Sequence, residues 1–293
     1  MTVTLDPGPV SPEAQSIAPE AGPARGRRRF RVGTLTAGPA VGLGVTLLWF
    51  SLLVLIPLAA IVGRTASGGW EAFWRTITNE QTAAAIRLTV TQAALVTLLN
   101  IFMGTLIAWV LVRDQFRGKR LMEVVIDIPF ALPTIVAGLV LLSLYGPNSP
   151  IGIDVANTRV AVFLAFAFVT LPFVVRTVQP VLEALEPEVE QAAASLGATR
   201  STTFRRVILP SLAPAIASGA AMSFARAISE YGSLVLLSGN LALRTEVTSV
   251  RILTYVENGD LAGAAAVATV LLVISVAVIV LLDLIQRRVA RRG

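Results

Sequence analysis

The sequence predicts an all-α, polytopic membrane protein with six transmembrane helices, and three observations carry the prediction. Of 293 residues, 55% are hydrophobic and only 14% charged, with a mean hydropathy of +0.74; a soluble domain carries roughly 25% charged residues. Six apolar stretches each approach the roughly 20 residues that a bilayer core requires. The arginines gather beside alternate ends of those stretches, which is a topology signal. The net charge of +6 therefore reads as membrane orientation, and no nucleic-acid partner is expected.

Residues 1–33 are poor in large apolar side chains and rich in Pro, Gly and Ala, so a disordered cytoplasmic tail is expected there. Its end carries Arg25, Arg27, Arg28, Arg29 and Arg31. The twin arginines resemble an export signal. The apolar run after them is long, lacks an evident cleavage site and precedes further runs, which fits a cytoplasmic anchor instead. Residues 34–293 form the membrane domain, with spans expected at about 41–62, 85–112, 122–145, 160–182, 213–237 and 262–285. The second is long enough to tilt or to begin outside the membrane. Sixteen of the 24 basic residues fall in the N-terminal tail, the loops 113–120 and 183–209, and the C-terminal tail. Both termini and the 183–209 loop are accordingly expected in the cytoplasm. Trp70 and Trp74, in the first outer loop, suit the membrane interface. The longest outer loop, 239–261, carries Val247, Val250 and Leu253 at a three-residue spacing, compatible with a small helix or with an irregular loop. Pro129, Pro133, Pro172 and Pro180 interrupt the third and fourth spans, either as pathway-shaping hinges or as packing kinks.

The chain has no Cys and no His, which removes thiol nucleophiles, disulfides, the usual zinc ligands and imidazole acid–base chemistry. No metal site is expected. Lys119, the only lysine, lacks the glycine pattern and the Ser or Thr of a phosphate-binding loop. Any ATP and Mg would be bound by another chain.

The polar interruption at 186–209 is the most informative stretch. Glu186-Pro187 opens it, 188–196 reads as a short helix, and Gly197 can adopt the left-handed conformation that ends one. Thr199 or Ser201 can cap a second short helix running through Arg205 and Arg206. Ala192, Ala193 and Ala194 give the first helix a low-profile face that another protein could approach.

Four ionisable residues fall deep within spans: Asp127, Arg176, Arg226 and Glu230. Such groups cost several kcal/mol unless paired or hydrated. Asp127 and Arg176 lie towards the same end of consecutive spans and are expected to form a structural pair. Arg226 lies near mid-membrane with Glu230 four residues on, where an ion pair can form. The two either neutralise each other or leave Arg226 as a positive point on an anion pathway, with Ser223 and Ser233 adding hydroxyls.

The 186–209 stretch resembles the signature loop of binding-protein-dependent ABC transporter permeases: E-A-A, three residues, G, nine residues, I-x-L-P. The matching residues are Gln191-Ala192-Ala193, Gly197, Val207, Leu209 and Pro210. Gln191 stands at the Glu position, with Glu190 just before it, and Val207 stands for Ile. Residues 130–152, 170–185, 224–240 and 244–247 are similar to the sulfate/thiosulfate permeases of the CysT type, and the likeness covers about 40–290. The resemblance implies a type I ABC importer permease fold and a transmembrane subunit that itself catalyses no bond chemistry. It implies a coupling helix, with Glu190, Gln191, Ala192, Ala193, Gly197, Leu209 and Pro210 facing an ATPase. It further implies a second permease of the CysW type, a dimer of CysA-type ATPase subunits holding ATP and Mg, an extracytoplasmic sulfate-binding protein, and a bacterial cell-membrane location. The alternatives are molybdate or tungstate import by the same machinery, and an ATP-independent secondary transporter or channel. An intramembrane enzyme is disfavoured, since the deep carboxylates lie in different spans and form no catalytic constellation.

Overall fold

A computed structural model describes residues 37–290, so the tail expected over 1–33 lies outside the described residues. All regular secondary structure among the described residues is helical. The chain divides into one unit up to Ser51 and a second from Leu52. Of the first, the structure describes α1 (Ala37–Phe50), whose large side chains, including Val45, Leu48 and Trp49, are exposed. Exposed apolar surface is the stable state when the solvent is lipid.

The second unit contains α2 (Ile56–Ser67), α3 (Trp70–Thr78), α4 (Glu80–Arg113), α5 (Lys119–Ala131), α6 (Thr134–Tyr145), α7 (Arg159–Glu183) and α8 (Pro187–Ser195). It continues with α9 (Arg200–Thr203), α10 (Leu209–Ile228), α11 (Gly232–Leu237), α12 (Thr248–Glu257) and α13 (Leu261–Ala290). Helices α4, α7 and α10 pack on one another at its centre. They can do so closely because glycines stand where they meet. A Cβ at Gly104 of α4 would lie 2.8 Å from Val174 Cβ of α7, and one at Gly219 of α10 would lie 2.9 Å from Val174 Cα. In lipid, where burial between helices gains little hydrophobic energy, such close approach supplies the dispersion contacts that hold helices together. Two apolar clusters flank the crossing. One contains Val96, Phe166, Phe224 and Leu237, the other Leu111, Val178, Leu182 and Leu212. Helix α13 lies against α10 and α2, and Thr65 and Thr269 share a 2.9 Å hydrogen bond across the latter contact.

By length and composition, Ala40–Ser67, Glu80–Arg113, Arg159–Glu183, Arg200–Ile228 and Leu261–Arg288 can each cross a membrane. The expected third span, 122–145, is not one straight helix: the chain bends by 117° between α5 and α6. Pro133 cannot continue the backbone ladder, and the residue before a proline is pushed out of the α region. Leu132 is extended accordingly, at φ −84° and ψ 135°. The chain reaches six spans only if this bent pair counts as one. The expected fifth span, 213–237, also divides. Helix α10 ends at Ile228, and α11 begins at Gly232. The Glu230 carboxylate accepts hydrogen bonds from both the backbone N–H and the hydroxyl of Ser233, each at 2.9 Å, and so caps α11 from outside the helix.

The loops expected on the outer side are more ordered than their composition suggests. Trp70, Phe73 and Trp74 of α3 form an aromatic cluster with centroids 5.4–5.6 Å apart. Helix α12 lies within 239–261. Its start is pinned to α4 where the Thr248 N–H and hydroxyl each donate to Thr89 Oγ1 at 2.9 Å. Val247 and Val250 are buried.

Candidate functional site

Helix α8 takes its boundaries from its own residues. Proline stands at its first position, and Glu188 and Glu190 lie in the first turn, where negative charge complements the helix dipole. At the far end the Gly197 N–H donates to Ala194 O at 2.9 Å and the Ala198 N–H to Ala193 O at 3.0 Å. This double closure requires a left-handed residue after the cap, and Gly197 supplies it at φ +81°. Thr199, and not Ser201, caps the second helix of the segment, its hydroxyl accepting from the Thr202 N–H at 3.3 Å. That second helix is not separate. After α9 the backbone widens into a π-helical turn, Phe204–Ile208, and runs directly into α10.

Gln191, Ala192, Ala194 and Gly197 are exposed, while Glu190 and Ala193 are half-buried. Leu196, 89% exposed, is the most exposed large apolar side chain among the described residues. An apolar side chain held out on a polar segment suits a protein partner. Glu190 points inward: it meets Arg113, the last residue of α4, at 2.5 Å, and the Arg113 guanidinium lies 5.9 Å from the Trp109 ring centroid. Trp109 in turn packs edge-on against Phe204. The end of α4 is thereby clamped to both arms of the 186–209 segment. Leu209 and Pro210 open α10, also exposed, and Leu209 lines an apolar groove with Trp109 and Phe204.

Deeper in the protein, Asp127 and Arg176 are joined by two hydrogen bonds, of 2.7 and 2.5 Å, between α5 and α7. Gln179 Oε1 accepts a further bond from Arg176 at 2.9 Å. Arg226 lies 2.6 Å from Glu230 Oε2. That approach lacks hydrogen-bond alignment, so Oε2 has the ion pair and no hydrogen-bond partner. Glu230 is 1% exposed and Arg226 27%. Of the four residues expected on an anion path, Arg226 is the accessible one. Ser233 is buried against Glu230. Ser223 is likewise buried and accepts a 3.1 Å bond from Asn100, whose amide also donates to Thr170 at 2.8 Å. This Asn100 junction ties α4, α7 and α10 together. Sequence reasoning missed Asn100, Arg113 and Leu196. The signal for Asn100 was present, since it is the sole amide between Ala93 and Val112.

The family model for binding-protein-dependent transport system inner membrane components matches residues 100–292, about two thirds of the chain, from the second half of α4 onward. The chain belongs to this family. The permease is 42% identical over 262 residues to the sulfate transport system permease protein CysT of Salmonella typhimurium, covering 87% of this chain and 95% of the relative. The CysT protein of Escherichia coli matches to the same extent. That of Synechocystis is 42% identical over 83% of this chain and 87% of its own. The permease also superposes on a chain of a bacterial alginate ABC transporter crystallised with its periplasmic protein, with a TM-score of 0.71 at 18% identity over 85% of this chain and 94% of that one. An amino acid ABC transporter chain gives 0.53 at 20% identity over 71% and 94%. The fold is that of the type I ABC importer permeases.

Proposed function

We propose that this permease is the CysT-type transmembrane subunit of an ATP-driven importer that carries sulfate, and thiosulfate with it, into a bacterial cell. The observation that carries the reading is the 42% identity to the CysT permeases along nearly their full length. In the assembly we infer, a CysW-type permease stands beside this chain and a pair of CysA-type ATPase subunits binds ATP and Mg below it. An extracytoplasmic sulfate-binding protein docks above. The arginine distribution supports a cytoplasmic position for α8 and both termini. Glu190, Gln191, Ala192, Ala193 and Gly197 then form the coupling helix that an ATPase grips, with Leu209 and Pro210 starting the helix that it moves. ATP-driven closure of the ATPase pair shifts α8, and the clamp from Glu190 to Arg113 carries the shift into α4. The chain performs no bond chemistry of its own. Asp127 and Arg176 serve as a structural pair, and Arg226 is the deep positive charge available to the anion.

The test is uptake of labelled sulfate by cells that depend on this permease and its companion subunits, with unlabelled thiosulfate, molybdate and tungstate as competitors. Competition by thiosulfate, and weak competition by molybdate, is expected. Competition by molybdate at far lower concentration than by sulfate would reassign the cargo, and uptake that persists without the ATPase would overturn the importer reading.

A further inference from the structure

At the opposite end of α4 from Arg113 lies a cleft of about 520 Å³ lined by Arg87, Arg159 and Arg244 together with Glu80, Leu243 and Glu246. The three arginines come from three places: the third turn of α4, the first residue of α7, and the loop before α12. Among the described residues none of them has a carboxylate within ion-pair distance. The carboxylate of Glu246 is already engaged: Gln81 donates to one oxygen at 2.7 Å, and Arg251 lies 3.9 Å from the other. Three positive charges against Glu80 alone leave an excess of two.

The arrangement is built, not incidental. Leu243 holds a left-handed backbone, φ +63°, which a branched side chain adopts only when its surroundings compel it. They do so here. The N–H groups of Arg244, Thr245 and Glu246 all donate to Leu241 O, at 2.9–3.1 Å. The Thr245 hydroxyl donates to Ser238 O at 2.6 Å and accepts from the Leu241 N–H at 3.0 Å. Arg159 is held by its Nε, which donates to Arg244 O at 3.2 Å and leaves the two terminal nitrogens for other partners. Arg87 has no side-chain hydrogen-bond partner among the described residues. In the orientation proposed above this is the outer end, where membrane proteins place few arginines. Only six of the 24 basic residues lie there, and three of the six meet in this cleft.

We propose that the cleft is an outer way-station for a small dianionic oxyanion, entered before the ion reaches the deep part of the protein. The proposal rests on the oxyanion-import reading. A concave site with an excess of two charges suits a dianion of the sulfate class better than the flat acidic surface of a docking protein. The cleft is larger than one such ion, so the ion keeps part of its water and is held loosely. Loose holding is what a transit site requires, because an ion bound tightly at the entrance would not move on.

The test uses the assembled transporter in lipid vesicles, with Arg87→Gln, Arg159→Gln, Arg244→Gln, the triple variant, and Arg87→Lys as a charge-keeping control. Sulfate uptake per assembled complex and the affinity of the complex for its sulfate-binding protein are measured separately. Arg87→Gln disturbs no hydrogen bond of the fold and is the decisive single change. Its uptake is expected to fall about tenfold, the loss of one charge-assisted contact, and that of the triple variant further. Arg87→Lys should retain most of the rate, and binding-protein affinity should stay within about twofold throughout. Unchanged uptake in the triple variant overturns the proposal. So does a fall in binding-protein affinity that accounts for the loss of uptake, which would make the arginines a protein-docking surface. A wild-type transporter that moved molybdate and not sulfate would defeat the sulfate assignment alone, and the same variants measured with molybdate would still decide the role of the cleft.

Discussion

Glu230 is a charged side chain that the protein keeps almost wholly out of solvent, and every contact of its carboxylate is accounted for: Ser233 on one oxygen and Arg226 on the other. Removing Arg226 alone strands that carboxylate, and breaking a buried pair costs roughly 3–5 kcal/mol. Arg226→Ala is therefore expected to accumulate poorly in the membrane. Glu230→Gln should fare better, because its amide oxygen can still accept from Ser233. Pairing it with Arg226→Gln removes both charges and should restore much of the expression. Uptake by that double variant then isolates the transport role of Arg226. We expect good expression with no sulfate uptake; full uptake would show that the pair serves folding alone. Both ion pairs within the membrane were legible in the sequence: Asp127 and Arg176 lie at matching depth in consecutive spans, and Arg226 and Glu230 are four residues apart on one segment. The burial of Ser223 was not, because a hydroxyl carries no sign of which way it faces until Asn100 takes it as an acceptor.

At the scale of the element, α8 could be read almost residue by residue, and the two broken spans could not. The boundaries of α8 are local: a proline, two acids, a glycine. Nothing within 4 Å would meet a Cβ at Gly197, so the position demands a backbone angle and not space. Gly197→Asn tolerates the left-handed region and should keep most transport. Gly197→Asp adds a negative charge to the exposed face and should abolish uptake while the chain remains in the membrane, read by uptake beside immunoblot of the membrane fraction. Normal uptake by Gly197→Asp at normal expression would remove α8 from the coupling role. The break at Leu132 had a local cause in Pro133, but a proline in a span gives no angle, and the neighbouring helices decide how far the chain bends. The break after Ile228 had no proline at all. It depends on Glu230 capping α11, a choice the side chain makes only in the folded protein.

For the whole molecule, the crossing of α4, α7 and α10 at Val174 sets how closely the central helices approach. Gly104→Ala places a methyl group against Val174 and should cost about 1–3 kcal/mol, as overpacking does. In a Val174→Gly background, which removes the Cβ that the methyl group meets at 2.8 Å, the same Gly104→Ala change should cost less, measured as the melting temperature of the purified permease in detergent. An equal cost of Gly104→Ala in the two backgrounds would mean that the contact is not the one described. Helix α4 runs through this crossing for 34 residues without a proline, where α5, α7 and α10 each carry at least one. Mechanically it is a stiff strut with Arg87 towards one end and Arg113 at the other, about 39 Å apart at 1.5 Å per residue. A strut of that length pivoting by about 5° at the Arg113 end sweeps the far end through roughly 3 Å. A rotation too small to break the clamp on α8 is then wide enough, at the far end of the helix, to draw Arg87 away from Arg159 of α7 and so loosen an ion held in the proposed cleft.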